Sequence, residues 1–93
     1  MAKVFLHLLN IFYMQTKVKC IEYEGNTVKD IILTFIKEHG NKLDKQLLSK
    51  NKKLLDDQIL ILLNGRNIKY LDKYKTKLND EDRIHLSVAL AGG

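Results

Sequence analysis

Few residues in this chain have reactive potential: a glycine pair at Gly92-Gly93, a single Cys20, and three histidines at His7, His39 and His85. A carboxyl group borne by glycine has no side chain crowding its carbonyl, so once activated it lies open to attack. Ala91-Gly92-Gly93 makes a narrow, pliable thread suited to entering the cleft of another protein. Cys20 has no second cysteine for a disulfide or a thiolate cluster, and a small buried hydrophobe is its ordinary role. The histidines fall on different expected elements, and Asn64-Gly65-Arg66 reads as a hairpin turn rather than a phosphate cradle. With no catalytic group, no bound cofactor and no metal site to assign, the chain reads as a non-enzyme whose own carboxyl terminus is the reacting group.

The body that presents this terminus is small. The 93 residues suffice for one domain, and 45% hydrophobic against 29% charged content is that of a chain that folds without staples. The expected division is a domain over residues 1–88 and a flexible tail over 89–93. Cysteine usage fits a reducing interior, and the apolar run 4–14 is interrupted by His7 and Asn10 and too short to span a membrane. A cytoplasmic monomer is expected. The net charge of +5 comes from lysines scattered among acids without an interleaved aromatic platform, which describes a solvated surface and not a nucleic-acid interface.

Along the chain, Val4 to Tyr13 is apolar on both alternating sets and reads as one long interior strand. Gln15, Thr16 and Lys17 break the run, Val18 to Tyr23 resumes an alternation, and the two segments are expected to pair as a hairpin. Thr27-Val28-Lys29-Asp30 matches a capping box, and Val28, Ile31, Ile32, Phe35 and Ile36 recur at helical spacing until Gly40, expected to close the helix in the left-handed conformation. Leu43, Leu47 and Leu48 in the polar stretch 41–57 suit a short second helix followed by a loop through Asn51, Lys52 and Lys53. Gln58 to Leu63 is a short apolar strand turned by Asn64-Gly65 into a return over Arg66, Asn67 and Ile68. A single turn is expected at Tyr70-Leu71-Asp72, and extended chain over 76–78. After the polar turn 79–82, Arg83 to Val88 alternates cleanly, with Ile84, Leu86 and Val88 facing the core. The last strand directs the tail outward, and its five residues reach about 17 Å when fully extended. One helix across one face of a mixed sheet is the economical packing for this order.

Three stretches together carry a resemblance: Leu63-Asn64-Gly65-Arg66-Asn67, then Leu78-Asn79-Asp80-Glu81-Asp82-Arg83-Ile84, then terminal Ala91-Gly92-Gly93. In their order and spacing the chain resembles, over nearly its whole length, the ubiquitin-like β-grasp family. The likeness is to its sulfur-carrier branch: the molybdopterin synthase small subunit, the thiamine sulfur carrier and, nearest, the ubiquitin-related modifiers. The resemblance implies an α+β, β-grasp fold: a mixed sheet, one main helix across it, a short second helix and the Gly-Gly tail. Molybdopterin synthase small subunits usually carry a Pro-Pro pair before the terminal glycines, whereas this chain has Ser87-Val88-Ala89-Leu90 and no proline. The family turn often has glycine where Glu81 stands.

The resemblance further implies that a ubiquitin-activating-like enzyme, using ATP and magnesium, adenylates Gly93, with Gly92 and Ala91 recognised as the slender approach. A sulfur donor then yields a thiocarboxylate for transfer, as in tRNA thiolation, or a target lysine captures the carbonyl as an isopeptide. Sulfur delivery to molybdenum cofactor and a purely non-covalent docking module are the alternatives. Ordering a pliable tail costs about 1–2 kcal/mol of backbone entropy per residue, so a second contact area is expected on the solvent side of the sheet, around Phe5, His7 or Leu9.

Overall fold

The computed structural model describes residues 1–88, and its first segment departs from the expected single strand. The apolar run divides into β1 (Ala2–Leu8) and a short helix α1 (Asn10–Thr16). Val4, Leu6 and Leu8 alternate inward along β1, but the burial then shifts to Phe12 and Thr16, four apart and on one helical face. Asn10 enters the helix at φ +51°, which a strand does not adopt, and Lys17 closes it at φ +64° while its amide donates to the Tyr13 carbonyl. Buried Thr16 sends its hydroxyl back to the Phe12 carbonyl at 2.7 Å. The chain returns through β2 (Cys20–Gly25), antiparallel to β1 with Lys3 opposite Glu24 and His7 opposite Cys20. The two strands pair as expected, joined by a helix instead of a tight turn.

The main helix α2 (Val28–His39) begins in the capping box that the sequence specifies. The Thr27 hydroxyl accepts from the Asp30 amide, and the Asp30 carboxylate accepts from the amides of Asn26 and Thr27 at 2.9 and 3.0 Å. These two backbone donors hold the Asp30 carboxyl below its usual range. Val28, Ile31, Ile32, Phe35 and Ile36 are the buried stripe. Gly40 does end the helix, yet at φ −59° and not in the left-handed region. A Cβ there would lie 2.9 Å from Cγ2 of Ile36, so what glycine supplies is room for the chain to tighten into a 3-10 turn over 40–42.

No second α-helix forms in the stretch 41–57. Asp44, extended at φ −56°, ψ 138°, separates the first 3-10 turn from another over 45–47, and its amide donates to Oε1 of Gln15 on α1 at 2.8 Å. Leu43, Leu47 and Leu55 are nonetheless buried. A bridge between Leu48 and Leu55 closes the loop around Asn51, Lys52 and Lys53.

The strands β3 (Ile59–Leu63) and β4 (Arg66–Asn67) form the expected hairpin, with Asn64 at φ +50° and Gly65 at φ +86°. Ile68 begins a 3-10 turn instead of extending the strand, and a second such turn covers 73–75. The segment then pairs back to the helix start through Thr27 and Lys77. The final strand β5 (Arg83–Val88) lies in the middle of the sheet, whose order is β2-β1-β5-β3-β4, parallel to β1 and antiparallel to β3. One helix across a five-stranded mixed sheet is the β-grasp arrangement.

Candidate docking face and tail root

The three stretches that carry the family resemblance are not independent, because two of them are bonded together. The Asn64 side chain donates to Oδ1 of Asp82 at 2.9 Å and accepts from the Arg83 amide at 2.9 Å. The other Asp82 oxygen accepts from the Asn79 amide at 2.7 Å, closing the turn into β5, and the Asp82 carbonyl accepts from the Phe5 amide. Buried Asp82 thereby joins the β3–β4 hairpin, the turn 79–82 and β1 in one network, and its carboxylate is satisfied in doing so. Glu81 stands within this turn at φ +70°, the conformation that explains a glycine preference at its position. Its amide donates to the Lys3 carbonyl at 2.7 Å. The network fixes the register of β5 and so the position of its last described residue, Val88.

At the far end of β5 a second set of bonds holds that point. The Leu9 amide donates to the Leu86 carbonyl at 3.0 Å, and the Ser87 hydroxyl donates to the Asn10 side chain. Val88 lies opposite Ile59. Ala91, Gly92 and Gly93, the expected reacting and recognised residues, lie outside the described residues.

The sheet face turned away from α2 is laid out by the strand registers. One row crosses all five strands: Cys20, His7, His85, Leu62, Asn67. The neighbouring row sets Glu22, Phe5 and Arg83 side by side. Phe5, His7, His85, Leu60 and Leu62 are half-buried there, between exposed Glu22 on one flank and exposed Arg83 at the end. The His7 and His85 rings stack at 4.5 Å between centroids and 10° between planes. Burial, then the proximity of His85 and Arg83, pushes the His7 imidazole below its usual value, so His7 is uncharged near neutrality. His7 Nε2 is buried and has no hydrogen-bond partner among the described residues.

Of the three positions expected to form the docking area, Phe5 and His7 lie on this face. Leu9 does not belong to the strand. It caps α1 and, like Tyr13 and Met14 of that helix, is an exposed hydrophobic, at 42% exposure. His39 packs against Phe35 behind the sheet, apart from the other two histidines. The adjacency of His7 and His85 was not foreseen from the sequence, where 78 residues separate them; only the parallel pairing of β1 with β5 brings them together. Among the described residues no group of three histidine, cysteine or acidic side chains is placed to hold a metal ion. Half-buried apolar side chains with Glu22 and Arg83 at their rim have the make-up of a contact surface.

No helix of the described residues is long and apolar enough to cross a membrane. The sequence matches no protein-family model and no curated protein. Solved structures, however, match over essentially the whole chain. The small archaeal modifier protein 1 of Methanosarcina acetivorans is 26% identical, with 100% of this chain and 98% of that one covered and a TM-score of 0.85. A chain of the BexX/CysO complex of Amycolatopsis orientalis is also 26% identical, covering 97% and 99%, with a TM-score of 0.76. Urm1 of Sulfolobus solfataricus, at 19% identity, 91% and 99% coverage and a TM-score of 0.70, shares the fold. These likenesses bear out the resemblance to the ubiquitin-like β-grasp sulfur carriers and modifiers.

Proposed function

We propose that this β-grasp chain is a protein modifier and sulfur carrier whose C-terminal Gly93 is adenylated by a ubiquitin-activating-like enzyme in the cytoplasm. The observation that carries the reading is the whole-length likeness to a small archaeal modifier protein, joined to a final strand at the centre of the sheet after which the sequence runs on to Ala91-Gly92-Gly93. A carboxylate is a poor electrophile, because its charge is delocalised and oxide is a poor leaving group. The Gly93 carboxylate oxygen therefore attacks the α-phosphorus of ATP, bound with magnesium on the enzyme, and pyrophosphate departs. A persulfide displaces AMP and, after reduction of the S–S bond by a thiol, leaves the thiocarboxylate. That nucleophile delivers sulfur onward, with tRNA thiolation the proposed destination. Alternatively a lysine amine attacks the carbonyl of the same adenylate, AMP departs, and the amine loses a proton as the isopeptide bond forms.

The folded body acts as the handle. In this reading Phe5, His7, His85 and Leu62 dock on the activating enzyme, and that apolar contact offsets the entropy lost when the tail is ordered. Sulfur delivery to molybdenum cofactor is the less favoured reading, since the Pro-Pro pair expected before the glycines is absent.

The test is ATP–pyrophosphate exchange with the cell's own activating enzyme. The intact protein supports exchange, and deletion of Gly93 abolishes it without changing the melting temperature. Exchange that survives the deletion, or never occurs with the intact protein, refutes the reading. Mass measurement of the protein taken from its cells then separates the branches, because a thiocarboxylate weighs about 16 Da more than the acid and a conjugate is a larger branched species.

A further inference from the structure

A cavity of about 520 Å³ opens where β3 begins and meets the open sheet face only at Asn67. Its size lies within the range of about 300–1,000 Å³ typical of ligand-binding clefts. Ile59, Ile61 and Ile68 give it an apolar floor. The segment leading into β3 contributes Asp56 and Asp57 to its lining, and the segment after β4 contributes Lys69 and Lys73. Tyr74 lines it as well. Burial raises that phenol above its ordinary value, a backbone hydrogen bond at Leu55 opposes the rise and the Asp57 carboxylate adds to it, so the hydroxyl stays protonated.

The cavity's position matters as much as its lining. Ile59 lies opposite Val88, so the cavity starts one strand spacing, about 4.8 Å, from the residue after which the chain runs on to Gly93. The five residues after Val88 span about 17 Å at full extension. An enzyme that holds the terminal carboxyl deep in a cleft must therefore bring the mouth of that cleft up against Val88 and the rim at Ile59. The apolar floor calls for an apolar side chain from the incoming surface. The two lysines, which form no part of the core, call for a carboxylate beside it.

We propose that this cavity is a second docking point for the adenylating enzyme, receiving an apolar side chain from the rim of its cleft flanked by an acidic residue set against Lys69 and Lys73. The proposal rests on the function given above and concerns a surface that shares only Asn67 with the open sheet face. The contact closes over the tail root from the side opposite the His7–His85 stack, so the enzyme grips the chain on both sides of β5.

The double variant Lys69→Glu/Lys73→Glu tests this, since both side chains are exposed and the fold should survive, as far-UV circular dichroism and melting temperature will show. In ATP–pyrophosphate exchange titrated with the variant, the KM for the carrier should rise at least tenfold, with kcat unchanged. Lys69→Arg/Lys73→Arg should restore the wild-type value. Lys37→Glu/Lys42→Glu, with the same change in net charge at the end of α2, should shift KM less than twofold. Equal effects from both reversals would mean long-range steering only and overturn the proposal, as would an unchanged KM while the wild type exchanges normally. A wild type that fails to exchange would instead refute the function itself, and with it this contact.

Discussion

The two faces of the sheet share the same five strands and differ in what they are made for. Toward α2, the strands present Val4, Leu6, Leu8, Ile59, Ile61, Leu63, Ile84 and Leu86, all buried, and the helix answers with Ile31, Ile32 and Phe35. Away from α2, the same strands present Phe5, His7, His85, Leu60 and Leu62, each covered only in part, with Glu22 and Arg83 beside them. The inner face is aliphatic and buried against the helix, and it opens at the cavity floored by Ile59 and Ile61. The outer face has apolar area and an imidazole atom without a partner among the described residues, which suits it to the proposed contact with a second protein. Alternation along each strand lets one set of hydrogen bonds support both faces.

Substitutions on the two faces should separate stability from recognition, and the largest effect belongs to the inner one. Phe35→Ala removes a fully buried ring that packs 6.5 Å from Phe12, and should cost about 3–5 kcal/mol in urea unfolding. Such a loss would leave a domain of ordinary stability close to unfolding. Leu62→Ala on the outer face should cost under about 1.5 kcal/mol and yet raise the KM for adenylation severalfold. If Leu62→Ala destabilises as much as Phe35→Ala, or leaves KM alone, the division between the faces is wrong.

The smaller effects sharpen the comparison. Replacing Glu81 by glycine relieves a positive φ at the turn feeding both faces, and should add about 0.5–1 kcal/mol of stability, measured as a higher urea midpoint, with adenylation kinetics unchanged. The pH dependence also differs between the faces. For His7 the folded value lies below the unfolded one, so the unfolded chain takes up its proton first as pH falls through about 6.5. The stability His7 contributes is thus whole above that pH and is lost as pH drops through the lower folded value. His7→Gln should flatten the urea midpoint between pH 7 and pH 5. The capping Asp30 acts in the same direction at more acid pH, below its unfolded carboxyl range, and its slope should persist in that variant.

Much of this arrangement was legible because particular residues carry local chemistry. Thr27 and Asp30 announce the start of α2, the 3.6 spacing gives its buried stripe, and Asn64-Gly65 can take the positive φ values a tight hairpin demands. The segment 9–16 was not legible as a helix, since a run of apolar residues suits a strand or a short helix equally until a partner chooses. Asn10, poorly suited to a strand interior, was the one available signal. Leu43, Leu47 and Leu48 have helical spacing but are placed by packing, with Asp44 extended between two single turns. The His7–His85 stack depends on pairing between the first and last strands, which no local pattern encodes. The cavity likewise assembles from the approaches to β3 and the chain after β4.

The position of β5 has a consequence for quality control. The last strand to leave the ribosome is the one that must sit between β1 and β3, so a nascent or prematurely ended chain has a gap at its centre and no finished surface to offer. A protease cut within Arg83–Val88 would open the same gap, whereas a cut beyond Val88 would spare every strand of the sheet. Only molecules translated through β5 can therefore present the intact body that the proposed activating enzyme would inspect.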